Sequence, residues 1–195
     1  EALGYQALME RSGQAVADIA AKVGKSESYV YQRLKLVSLI PSAQEAFTKE
    51  EITAAHAIQI ARLTEQDQQE ALEYINDAYE NVSSRDLAKW IGHEIHRELK
   101  KAPFNVDDPS LLRGASACAD CPKRTGYTPA LFPDISNKDV CTDRSCWTAK
   151  IEADYNVKLA QLEASGDSCV QVSAAWDKPA KGIHARDSWM PVDRK

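Results

Sequence analysis

From Ala2 to Lys101 the apolar side chains recur at helical spacing with short polar breaks, so this stretch is predicted to be a succession of short helices. Leu3, Tyr5, Leu8 and Met9 share one broad face of residues 1–12. Ile19, Ala20 and Val23 form the inner face of a second helix. Val30 and Leu34 do the same for a third, which starts at Ser26 and runs to about Leu39, where Pro41 stops it. A short helix spans residues 43–49, and Thr53 caps the next, carrying Ile58, Ile60 and Leu63. Thr64 opens an acidic helix with Leu72, Ile75 and Tyr79 at helical spacing. Ser83 or Ser84 opens another, with Leu87, Trp90, Ile91, Ile95 and Leu99 as its stripe. Asp86 in the first turn of that helix and Lys100-Lys101 in its last suit the helix dipole.

The pattern breaks at Ala102-Pro103. The segment from Pro103 to Pro133 is rich in proline and poor in strong helix formers. A helix resumes near Ser145 and passes Leu162, with Trp147, Ile151, Tyr155 and Leu159 on one side; Gly166-Asp167 ends it. Cys169 to Val172 fits a short strand, and the last twenty residues, with Pro179, Gly182 and Pro191, an extended tail. The expected fold is therefore mainly α. A helical bundle over 1–102 precedes a Cys-rich module with a helix and tail over 103–195.

Within the bundle, Ile19 to Val30 has the spacing of a helix-turn-helix: Ala20 lies four residues before Gly24, and Val30 six after it. A small residue at position 20 lets the next helix pack close. Glycine at 24 takes φ > 0 without a Cβ penalty, Ser26 caps the second helix with its hydroxyl, and Val30 returns to the core. An ordinary helical hairpin shares the central glycine and is the plain alternative. In a helix-turn-helix the N-terminal part of the second helix enters the major groove. Ser26, Glu27, Ser28 and Gln32 would then meet base edges, and Lys22, Lys25 and Arg33 phosphates.

Gly24-Lys-Ser-Glu-Ser-Tyr-Val30, then Arg33-Leu-Lys-Leu36, Leu39-Ile-Pro41 and His56-Ala57, in that order, resemble the central DNA-binding domain of the ParB/KorB family of bacterial partition proteins and regulators. The resemblance covers roughly residues 1–100. It departs from the family pattern at Ala15, where a capping Thr is usual, and at Ile58, where Arg commonly follows His-Ala. It implies sequence-specific binding of duplex DNA at a centromere-like palindrome in chromosome or plasmid partition. It also implies a homodimer in the full-length protein, a ParA-type ATPase partner, and a cytoplasmic, nucleoid-associated location. The family's CTP-dependent clamp activity belongs to a domain preceding this one, and the chain opens without Met inside a helix, so it reads as a fragment without enzymatic activity. A repressor of the KorB kind and a protein-interaction scaffold without DNA affinity are the other readings.

Cys118-x2-Cys121, nineteen residues, then Cys141-x4-Cys146 is the other chemical signal. An x2 pair places two thiolates on one tight turn with the bite of a tetrahedral ion, and a second pair about twenty residues on completes four ligands for structural zinc. Few large apolar residues, mainly Leu131, Phe132, Ile135 and Val140, are available to hold this segment otherwise. Thiols that merely pack, and a redox pair at Cys118/Cys121, are the alternatives. Cys169 is expected to be a buried spectator. His93 and His96 lie three apart, His56 is expected to bond locally, and His184 falls in the tail. No nucleophile–base–acid set, phosphate loop or His-Glu-x-x-His motif is present, so no catalytic residue is assigned.

Composition narrows the classes. With 44% hydrophobic and 27% charged residues the sequence is that of a globular protein, and no apolar run approaches a membrane span. The formal net charge of −5 argues against a generic nucleic-acid coat. The charge is uneven: residues 1–40 carry five basic against four acidic side chains, residues 41–103 seven against twelve. An acidic remainder confines attraction for DNA to the reading head.

Overall fold

The computed structural model describes residues 1–78 and 81–166. Tyr79, Cys169, the strand expected at 169–172, His184 and the tail lie outside the described residues. Eight helices are described: α1 (Ala2–Ser12), α2 (Val16–Val23), α3 (Glu27–Lys35), α4 (Pro41–Thr48), α5 (Ala54–Ile60), α6 (Glu65–Asp77), α7 (Ser84–Trp90) and α8 (Arg144–Ala164). Strands β1 (Arg97–Glu98) and β2 (Val140–Cys141) form a two-stranded antiparallel ribbon, with Arg97 opposite Cys141. The chain is mainly α. Residues 1–151 form one compact unit and residues from Glu152 a second, in which Lys158 pairs with Asp154 along α8.

Local chemistry sets most helix starts. The hydroxyls of Ser26, Thr53, Thr64 and Ser83 each accept a bond from the backbone N–H three residues on. α2 lacks a side-chain cap at Ala15; the Asp18 carboxylate instead accepts from the Ala15 N–H at 3.3 Å. Gly24 ends α2 at φ 65°. Pro41 does more than stop the preceding helix: it is the first residue of α4, where a missing N–H costs nothing.

The core has three parts. Tyr5, Val16, Ile19, Ala20 and Val30 hold α1–α3 together. Leu39, Ala43, Ile60, Leu72, Leu87, Ile91, Ile95 and their neighbours fill α4–α7. Leu99, Phe104, Cys118, Cys141 and Trp147 form a smaller third cluster.

Three expectations need correction. The third helix is α-helical only to Lys35 and closes in a 3-10 turn, Leu36–Ser38. The stripe from Leu87 to Leu99 is not one helix: after Trp90 the chain makes a π-helical turn, Ile91–Ile95, and then extends into β1. Pairing with β2 overrides the helical period there, and Leu99 enters the third cluster. Lys100 and Lys101 consequently close a short 3-10 turn, Leu99–Lys101, and pair with Glu98 rather than ending a continuous α-helix. The inner faces of α1 and α2 are also narrower than expected, because Leu3 is 72% and Val23 38% exposed.

Candidate nucleic-acid interface

The helix-turn-helix follows from the sequence one contact at a time. Ala20, 4% exposed, admits α3 against α2, and the Lys25 N–H bonds back to Ala20 O at 3.0 Å across the glycine turn. Val30, fully buried, locks α3 onto Ile19 and Tyr5. This leaves Lys22, Lys25, Ser26 and Glu27 exposed at the turn and the first turn of α3. The Ser26 hydroxyl faces inward as cap, accepting from the Tyr29 N–H at 3.2 Å. Lys25 Nζ lies 5.5 Å from the centre of the Tyr29 ring, and Lys22 donates to Gln14 Oε1 at 2.8 Å. Tyr29 is half-buried.

The rest of the expected DNA face is engaged by the protein. Ser28 Oγ donates to the carbonyl of Ala130 at 2.7 Å, and Gln32 Nε2 donates to Ser28 Oγ at 3.3 Å; both side chains are half-buried. The acceptor belongs to a 3-10 turn, Pro129–Leu131, packed on α3. Arg33 folds back over Tyr29, its guanidinium 4.9 Å from the ring centre, and its Nε lies 3.4 Å from the Glu1 carboxylate. Lys35 is also half-buried; burial, and then the nearby Lys123 ammonium, lower its pKa.

The ParB HTH domain model matches residues 1–94, over the same α1–α7 region. Residues 1–94 belong to the ParB helix-turn-helix family. The chromosome-partitioning protein Spo0J of Thermus thermophilus is 43% identical over 112 residues, covering 57% of this chain and 39% of Spo0J. The chromosome-partitioning protein ParB of Caulobacter vibrioides is 39% identical over 61 residues, covering 31% of this chain and 20% of ParB. The chain therefore spans well under half the length of these relatives. A solved structure of C-terminally truncated ParB from Caulobacter crescentus, complexed to the centromeric parS site, is 31% identical. It covers 46% of each chain at a TM-score of 0.42.

Beyond the ParB domain, the four cysteines singled out from the sequence come together. Cys118, Cys121, Cys141 and Cys146 all line one cavity of about 370 Å³, with Phe104, Trp147, Lys123 and Lys150 among its walls. All four are free thiols. Burial, with lesser contributions from Asp143 and the neighbouring Cys121 and Cys118, pushes the Cys141 thiol up to about 11. Burial and Asp143 also raise Cys146. These two are the opposite of activated nucleophiles, which need a depressed pKa. Among the described residues no group of three or more His, Cys, Asp or Glu side chains stands in a ligating arrangement.

One polar cluster gave no signal in the sequence. The Arg62 guanidinium, 7% exposed, donates to Asp134 at 2.6 and 3.0 Å and to Leu131 O at 3.2 Å, and sits 5.3 Å from the centre of the Phe132 ring. It anchors residues 131–134 at the end of α5, beside the turn that engages Ser28. His96 lies in its field: burial first, then Arg62, lower its pKa to about 4. His93, by contrast, is exposed and pairs with Glu94 at 2.7 Å. His56 is buried in a reciprocal cap with Thr53.

Proposed function

We propose that the ParB domain of this chain reads a specific duplex DNA site in chromosome or plasmid partition. The observation that carries this reading is the exposed tip formed by Lys22, Lys25, Ser26 and Glu27 at the start of a recognition helix whose inner face is fully packed. Lys22 and Lys25 contact phosphates and set register. Glu27 reaches base edges and accepts from cytosine. Ser28 and Gln32 reach DNA once the Pro129–Leu131 turn yields or itself joins the interface, and Arg33 once it leaves Tyr29. The similarity to Spo0J and ParB supports chromosome partition as the setting; a palindromic site, a full-length homodimer and a ParA-type ATPase partner are part of the proposal as what the sequence resemblance implies.

The test is selection of bound fragments from a random duplex library at physiological salt, with Glu27→Ala and Lys25→Ala alongside. The expected result is one enriched palindrome. Glu27→Ala relaxes its preference at one position, at a cost of about 1–3 kcal/mol. Lys25→Ala weakens all sequences alike and reduces the salt slope by about one. Attraction at low salt only, without enrichment, refutes the proposal and leaves a scaffold role.

A further inference from the structure

Residues 103–139 bring little apolar core of their own, beyond the polar anchors at Ala130 and Asp134. Among the described residues they contain one 3-10 turn and no helix or strand, and their cluster with the ribbon and α8 rests on Leu99, Phe104, Cys118, Cys141 and Trp147, with Phe104 edge-on to Trp147 at 5.1 Å. That is a small apolar core for so long an irregular segment, and such segments need a cross-link. The cysteines are placed to supply one. The first pair sits on a tight turn closed by Cys121 N–H to Cys118 O at 3.4 Å, and Arg124 N–H to Cys121 O at 3.0 Å continues it. Of the second pair, Cys141 ends β2 and Cys146 lies in the first turn of α8, its N–H bonded to the Asp143 carboxylate at 2.9 Å.

Three separate ties hold the two turns face to face. Arg124 bridges to Cys141, the Thr142 N–H donates to Lys123 O at 3.1 Å, and the Lys123 ammonium pairs with the Asp143 carboxylate. Charge points the same way. Lys150 is 2% exposed, and its ammonium donates to Ser116 O at 2.8 Å and Cys118 Sγ at 3.3 Å, while the Asp108 carboxylate acts on it only through space, outside ion-pair distance. A buried cation calls for an anionic neighbour.

We infer that Cys118, Cys121, Cys141 and Cys146 bind one structural zinc ion. On binding, the four thiols release four protons to solvent and their thiolates ligate Zn²⁺, so the neutral cluster becomes a dianion beside the ammonium groups of Lys150 and Lys123. The cavity is wider than a bare ion requires, and Cys141 Sγ is turned toward Asp143 O at 3.5 Å. Binding therefore closes the two turns inward until each sulfur reaches about 2.3 Å from the metal. The ion ties the knuckle to the start of α8 and tightens residues 103–143 as a unit.

The full chain, purified in reducing buffer without chelator, tests this by elemental analysis. One zinc per chain is expected, falling to background in Cys118→Ser/Cys146→Ser while far-UV helicity is retained. Because that variant also removes the local cross-link, Co²⁺ replacement in the unsubstituted chain gives a second, independent reading: tetrahedral thiolate–cobalt absorption is expected. The inference is overturned if the folded unsubstituted chain holds no more zinc than the double variant and gives no tetrahedral cobalt spectrum. Iron absorption in place of zinc, or zinc retained by the double variant, overturns it as well.

Discussion

The Arg62–Asp134 pair is asymmetric, and the asymmetry can be measured. The guanidinium is 7% exposed and the carboxylate 45%. Removing the acid with Asp134→Ala leaves a buried cation that keeps Leu131 O and the Phe132 face but loses both charge-assisted bonds. Breaking a fully buried pair costs about 3–5 kcal/mol; discounted for the exposed partner, about 2–3 kcal/mol is expected. Removing the base with Arg62→Met keeps the apolar stem and leaves a carboxylate that water can reach, so about 1 kcal/mol is expected. The double variant has no stranded charge and should be no less stable than Asp134→Ala alone. Urea unfolding of the three variants, followed by far-UV circular dichroism, completes the cycle. If Arg62→Met proves as costly as Asp134→Ala, or the two losses add, the stranded buried cation is not the dominant cost and the reasoning fails.

His96 predicts a pH window. Its folded pKa of about 4 lies below the unfolded value of 6.5, so the unfolded chain binds the extra proton between them. Its contribution is complete above pH 6.5 and is lost as pH falls toward 4, up to about 3 kcal/mol. Urea midpoints should drop across this window and flatten in His96→Gln; a flat wild-type profile, or an NMR titration of His96 above pH 6, would sink the idea. Two glycines should respond differently to Ala. Gly24, at φ 65° with open space around its Cβ position, costs about 1 kcal/mol of backbone strain. At Gly126 the new Cβ would sit 2.6 Å from the Lys138 carbonyl oxygen, and shifting that backbone costs about 1–3 kcal/mol. Thermal unfolding showing Gly126→Ala no worse than Gly24→Ala would contradict this ordering.

Short-range physics explains which features were legible. Ser26, Thr53, Thr64 and Ser83 start helices because each hydroxyl reaches an N–H three residues away, a relation wholly inside the local sequence. Gly24 and Val30 are readable for the same reason. The stripe through Leu99 misled because its last turn is set by β2, more than forty residues later, where Arg97 finds Cys141. The Arg62–Asp134 anchor, 72 residues apart, left no periodic trace at all. The expected DNA face shows both regimes in one helix. Periodicity tells which side of α3 turns away from its own cluster of Ile19 and Val30, but not which part of that side another segment covers. Ser28 meets Ala130 from 102 residues away, and Gln32 follows Ser28. Lys25, Ser26 and Glu27 precede that contact and stay exposed. For these three, as for Lys22 at the end of α2, the local pattern and the tertiary packing make the same demand, so base and phosphate contacts should be sought there before they are sought one turn further on.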